Sequence, residues 1–332
     1  MKIFTIIHKE TAVTKYRQER PLIEGLGAKK RRSLLRKNEK IRIDKLAERL
    51  KKQADIWNIK YIQDKHTLDL LYTMRNHVKS KVVIDFDDNI WEIPEGNVAR
   101  GDMHEHLRRG LILTASTECA DWVTVSTEPL KALVEPINNK VVVLPNYIDP
   151  TEWKHKRAEH KKVRIGWVWS PTHIPDNKEV EDALRNINKK YVDKVEIVVF
   201  GTDKNIFDFD TVNIPGVPYA EYPKTFMEAG IDISLGPLAD NRFNRCKSNI
   251  KWMESTMAGA AFIGSKVYPY SMSVKQGETG YVCNGTNQWV KHISHLIEDP
   301  CKRIELIKNA RKDVLKRAKE DKKKWNNFYM SI

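Results

Sequence analysis

Cysteine is scarce and scattered. The chain of 332 residues holds four, Cys119, Cys246, Cys283 and Cys301, with no Cys-x-x-Cys pair. That spacing argues against a zinc ribbon and against a disulfide framework, and it fits a reducing compartment. Long apolar runs are missing too. No stretch reaches the roughly 20 residues needed to span a bilayer, so no transmembrane segment is expected. The opening Met1 to His8 is too short and too soon charged for a signal peptide, so a cytoplasmic setting is expected. Negative charge is in short supply, with 44 Asp and Glu against 58 Lys and Arg, a net +14. Such a surplus asks for a partner. Hydrophobic residues are not short: 41% is enough for ordinary cores and excludes global disorder. At about 150 residues per domain, the length predicts two domains.

The surplus is local. Residues 28–52 carry 12 basic and 3 acidic side chains, and 302–324 carry 11 and 4. The rest of the chain is slightly acidic. Leu34, Leu35, Ile41, Leu46 and Leu50 let the first stretch form amphipathic helix. A solvated helical face is the plain reading. A nucleic-acid face and an anionic membrane surface are the two others, and composition does not choose among them.

Short apolar runs alternate with helical patterns. Strands are expected at 3–7, 56–62, 81–86, 122–126 and 140–144. After a basic linker at 154–162 they resume at 163–168, 195–201, 231–235, 260–264 and 280–283. Helical periodicity fills the intervals, ending in 287–297 and 300–318. Alternation of this kind means parallel sheets in βαβ units, here as two doubly wound α/β domains. Ligands of such domains bind at the carboxyl ends of the strands, and two domains place the main cleft between them.

Three clusters can carry chemistry. On a helix starting near Cys246, Lys247, Lys251 and Glu254 share one face. Lys247 would lie in the first turn, where free amides favour anions, with Glu254 roughly 10 Å further on. A phosphate and a ribose diol fit that span; a surface ion pair is the plainer alternative. Asp85, Asp87 and Asp88 follow an expected strand, where carboxylates project into a cleft. They can bind a divalent metal, act as a base, hydrogen-bond hydroxyls, or simply cap a turn. Gly166 precedes Ser170 and His173 at another strand end, where glycine allows close approach of a ligand. His173 is equally readable as an ordinary loop histidine.

These residues, in this order, resemble the retaining glycosyltransferases of family 4 type, closest to short phage and bacterial versions. The resemblance runs through Val82 to Trp91, Asp121 to Thr127, Val141 to Asp149, Arg164 to His173, Asp232 to Leu238, Lys247 to Glu254 and Ala258 to Ser265. It implies the GT-B fold, two Rossmann-like domains facing a central cleft. Residues 1–155 would form the acceptor-side domain with a basic helical insertion at 28–52. Residues 162–318 would bind the nucleotide-sugar, and 319–332 would pack back on the first domain. By resemblance Glu254 is the carboxylate that holds the ribose. The family's partner Glu, eight residues earlier, falls on Cys246. The diphosphate-clamping pair after the first strand of the second domain is replaced by Ser170 and His173, which leaves Lys247 and Lys251 for the phosphates. Asn244 and Ser248 join the expected donor site. The glycine-rich loop after the first strand is also absent, and Lys15, Tyr16, Arg17 and Arg20 stand there.

The resemblance implies transfer from a nucleotide-sugar, UDP-linked above all, with retention and with the leaving phosphate deprotonating the acceptor. Asp87 or Asp88 would orient the acceptor or sugar. No metal or other cofactor is required, although Asp85-Phe-Asp87 formally reads as the Asp-x-Asp metal motif of the other glycosyltransferase class. Tyr16, Arg17, Arg20, Lys29, Lys30, Arg31 and Arg32 are the expected polyanion face. Double-stranded DNA with hydroxylated bases is the favoured acceptor, in a bacterial or phage-infected cytoplasm. A cell-surface glycan or lipid-linked sugar, reached by peripheral contact with an anionic membrane, is the rival. A non-catalytic nucleic-acid-binding protein on a degenerate GT-B fold is the third reading.

Overall fold

The computed structural model describes residues 1–6, 11–31, 45, 48–50, 53–77, 79–168 and 178–332. Most of the basic stretch, including Arg32, and the loop with Ser170 and His173 lie outside them.

Among the described residues, twelve strands form two six-stranded sheets, parallel throughout. The first holds β1 (Ile3–Ile6), β2 (Lys29–Arg31), β3 (Ile56–Lys60), β4 (Lys81–Phe86), β5 (Trp122–Val125) and β6 (Val141–Val143). Their order is β2-β1-β3-β4-β5-β6. The second holds β7 (Val163–Val168), β8 (Val195–Phe200), β9 (Val212–Ile214), β10 (Ile233–Gly236), β11 (Ala261–Ser265) and β12 (Tyr281–Cys283). Here the order is β12-β11-β10-β7-β8-β9. The strand order reverses between β1 and β3 in one sheet and between β7 and β10 in the other. A crevice opens at such reversals, on the carboxyl ends of the strands. These are the two doubly wound domains that the alternation implies, in the GT-B arrangement that the resemblance implies.

The central strands are apolar on both faces because helices cover both. Val83 and Ile84 in β4, and Val198 and Val199 in β8, are fully buried. Gly166 sits within β7, and a Cβ there would come within 2.4 Å of the Ile231 side chain. The glycine makes room for the packing of Ile231 against the sheet.

The basic stretch does not begin as helix. Lys29–Arg31 form β2, an edge strand beside β1. An edge strand tolerates charge because its outer side faces solvent. The expected helix 300–318 is longer than its pattern. Pro300–Ser331 is one helix of 32 residues, about 48 Å long. Leu306 packs in the second domain, and Trp325, Phe328 and Tyr329 pack in a cluster that includes Ile3, Ile56 and Val83 of the first sheet. Trp325 Nε1 donates to the Pro145 carbonyl at 2.9 Å, and Asn58 Nδ2 donates to Tyr329 Oη at 2.8 Å.

Candidate active site

A cavity of about 540 Å³ lies between the domains at the carboxyl ends of the strands. The first domain contributes Tyr16, Asp87, Asp88 and Asn146, and the second contributes Tyr219, Tyr222, Lys247, Ser248, Lys251 and Glu254. Each charged group can be traced to the element that holds it.

The helix Ile250–Met257 carries Lys251 and Glu254. Lys251 Nζ donates to the Val168 carbonyl, at the end of β7, at 3.1 Å. The Glu254 carboxylate accepts from the hydroxyl of Tyr16, and from that of Tyr222 at 3.3 Å. Burial pushes its pKa up to about 7, against the opposing pull of the Tyr16 hydrogen bond and Lys251. Tyr219 extends the group, donating to Tyr16 Oη at 2.6 Å and accepting from Arg20 at 3.1 Å.

Lys247 is not on that helix. A short helix, Arg242–Arg245, ends first, and the next begins after Asn249. The chain breaks there because Phe243 and Cys246 are buried in the core cluster of the first domain. Ser248 and Thr127 then fix the crossing. Asn146 Nδ2 donates to Ser248 Oγ at 2.8 Å, and Thr127 Oγ1 to the Cys246 carbonyl at 2.7 Å. Lys247 therefore reaches the cleft from a connecting segment, 3.5 Å from Asp88 and with Phe243 beneath it. Cys246 faces away from the cavity, and burial raises its thiol to about 11. Asn244 is buried, and its side chain donates to the Ala239 carbonyl at 2.9 Å.

The three aspartates separate in role. Asp85 is buried under Arg17, whose Nε donates to it at 2.7 Å while Thr124 donates at 2.6 Å. Asp87 and Asp88 line the cavity. Burial raises the Asp87 carboxyl, opposed by the charge of Lys60 at the end of β3. With Asp85 engaged in this way, Asp-x-Asp does not form a chelating pair. Among the described residues no group of three His, Cys, Asp or Glu side chains is placed to hold a metal ion.

Part of the expected polyanion face is internal, whereas Lys29 and Lys30 are exposed. Arg17 and Arg20 have side chains with no exposure, and Tyr16 is 2% exposed. Arg17 also donates to the Leu144 carbonyl at 2.6 Å and to Asn146 Oδ1 at 3.1 Å. Lys30 is paired with Glu19 at 3.1 Å. Lys29 stands on the edge strand over the Phe4 ring. Arg31 ends that strand, and its side chain lies outside the described set. Sequence reasoning missed Tyr219, Tyr222, Lys60 and Asn146, which meet the site only through tertiary packing.

No protein-family model matches the chain, and no curated protein matches it. Solved structures do. Anabaena HepE, in complex with UDP and glucose, is similar over 100% of both chains at 12% identity and a TM-score of 0.69. A glycosyltransferase from Rickettsia africae is similar over 99% of this chain and 98% of its own, at 11% identity and 0.67. A variant of S. aureus TarM, in complex with Fondaparinux, alpha-GlcNAc-glycerol and UDP, is similar over 86% of this chain at 12% identity and 0.61. The match spans only 57% of the TarM chain. At these identities the likeness is one of fold: the chain has the two-domain GT-B architecture of these proteins.

Proposed function

We propose that the chain is a retaining glycosyltransferase that takes its sugar from a nucleotide donor, UDP-linked, and passes it to a glycan or lipid-linked hydroxyl. The observation that carries this is the cavity in which Lys247, Lys251 and Glu254 face Asp87, Asp88 and Tyr16 across the domain boundary. HepE and TarM are described with UDP in structures of the same fold, which supports the donor class.

The chemistry follows from charge. Transfer separates an oxocarbenium-like sugar from a diphosphate. Stabilising the leaving group is the main task, and Lys247 and Lys251 supply positive charge at the cleft. Glu254 would exchange the Tyr16 hydroxyl for those of the ribose. Asp87 and Asp88, on the opposite wall, would orient the sugar or the acceptor. The leaving phosphate takes the acceptor proton, and enclosure keeps water from the donor. Asp85, engaged by Arg17, would stand outside the reaction, and no metal enters this scheme.

Of the acceptors, DNA is motivated by the basic stretch 28–52, most of which lies outside the described residues. Arg17 and Arg20, two of its expected contacts, are consumed by internal ion pairs with Asp85 and Glu152. TarM with alpha-GlcNAc-glycerol favours a glycan-type acceptor by analogy. The test is a panel of nucleotide-sugars offered with cell-surface glycans, lipid-linked sugars and hydroxymethylated DNA, read by mass spectrometry with and without EDTA. Label is expected in the glycan or lipid fraction, undiminished by EDTA. Label in DNA would restore the other acceptor, and no nucleotide release from any donor would leave a non-catalytic protein.

A further inference from the structure

A second cavity, of about 550 Å³, adjoins the first across the segment 246–249. Asn146, Lys247 and Ser248 line both, so they form the wall between them. Ligand sites span roughly 300–1,000 Å³, so the space is ample, and no step of the proposed transfer uses it.

The long C-terminal helix supplies one side. Asp313, Arg317, Asp321 and Lys324 recur on it at intervals of four, four and three residues, so they share the face that lines the cavity. Charge on such a face has to give up water, which is costly unless each group finds a partner. Most of the charges do. Lys275 pairs with Asp313 at 3.4 Å and Lys316 with Glu320 at 3.9 Å, while Glu128 is exposed to water.

Two members of the row are poorly matched. Asp321 is 8% exposed, yet its one ion pair, to Lys324, stands at 3.7 Å, beyond hydrogen-bond length. Burial raises its carboxyl to about 6. Arg317 lies half-buried over the Trp252 ring at 5.5 Å rather than on Asp321 four residues on, and it forms no ion pair among the described residues. A buried carboxylate without a hydrogen bond and a guanidinium without a carboxylate call for an explanation. A ligand with adjacent hydroxyls and an acid group completes both. The hydroxyls donate to the carboxylate, and the acid group meets the planar fork of the guanidinium. Asn249 and Ser273, joined at 2.8 Å, add neutral hydrogen-bonding groups to the same wall.

We propose that this cavity is a second ligand site, for a sugar unit bearing a carboxylate, in which Arg317 takes the acid group and Asp321 a pair of adjacent hydroxyls. Binding there does not depend on the glycosyltransferase reading. Its role does: under that reading the site holds an acidic unit of the acceptor glycan, beside the donor cavity across the shared wall.

The full chain is titrated with D-glucuronate and with D-glucose, in UDP and without it, followed by ligand-observed NMR. Glucuronate should saturate, glucose should bind about ten-fold more weakly, and UDP should not displace glucuronate. Arg317→Met should weaken glucuronate about ten-fold. Asp321→Leu should weaken it similarly, yet melt no lower than the parent at pH 8, since an ill-paired buried carboxylate opposes folding. A carboxylate placed there for the fold would melt lower on removal, and that result would overturn the proposal. So would the absence of saturable glucuronate binding, equal binding of glucose, displacement by UDP, or variants that bind undiminished. UDP binding to the parent is read separately by calorimetry: its absence would count against the transferase reading and leave this site standing.

Discussion

Glu254 shows how one side chain acquires a function from its surroundings. Its carboxyl is buried and meets two tyrosine hydroxyls, and its pKa stands at about 7 against an ordinary 4.5. A folded-state value above the unfolded one means that the protonated form is favoured by folding. That stability is complete below about pH 4.5 and is lost as pH rises through about 7. Glu254→Gln should therefore melt above the parent near pH 8, by an upper limit of about 3 kcal/mol, and the gap should close towards pH 5. Nucleotide binding should show the opposite trend. A carboxylate accepts ribose hydroxyls better than a carboxylic acid, so UDP affinity should rise through about pH 7 in the parent and stay flat in the variant, as calorimetry would record. Arg17 offers a second residue-scale test. Removing it as Arg17→Met leaves Asp85 buried without its partner, at a cost of about 3–5 kcal/mol in urea unfolding, and adding Asp85→Leu should recover much of that. Glu254 and Lys251 were legible because their spacing is local to one helix. The burial of Arg17 was not, since its partner lies 68 positions away and only the fold joins them.

Among the elements, ten of the twelve described strands were readable, and the edge strands β2 and β9 were not. Strands such as Lys81–Phe86 are apolar because helices cover both sheet faces, and that demand writes itself into consecutive residues. Lys29–Arg31 and Val212–Ile214 are three residues long and half-solvated, so neither length nor pattern marks them. The C-terminal helix was read in part, since its periodicity was followed only to 318 while 319–332 was expected against the first domain. Its basic face hides Trp325, Phe328 and Tyr329, which are apolar for the sake of the other domain. Trp325 is fully buried and has Arg17 over its ring at 5.2 Å. Trp325→Ala should cost about 3–5 kcal/mol by thermal melting, and a chain stopped after Ala318 should lose more because the whole cluster goes. An unchanged melt for Trp325→Ala would mean that the helix end does not dock.

The molecule as a whole is held across its cleft by a segment that the family resemblance reads as donor-binding. Where the family has a sugar-binding Glu, this chain has Cys246, 5% exposed and packed with Phe243 in the core of the opposite domain. The contacts on either side, Thr127 to the Cys246 carbonyl and Asn146 to Ser248, also cross the boundary. The segment thus binds domain to domain. Restoring that residue tests the point. Cys246→Glu would place a carboxylate in an apolar cluster, where an unpaired charge is costly enough that either the group takes up a proton or the cluster opens. The expected result is a lower melting temperature, a larger radius of gyration in small-angle scattering as the domains part, and no gain in transfer. A variant that kept its compactness and turned over donor faster would instead put position 246 at the sugar, and would require the segment to sit differently between the domains.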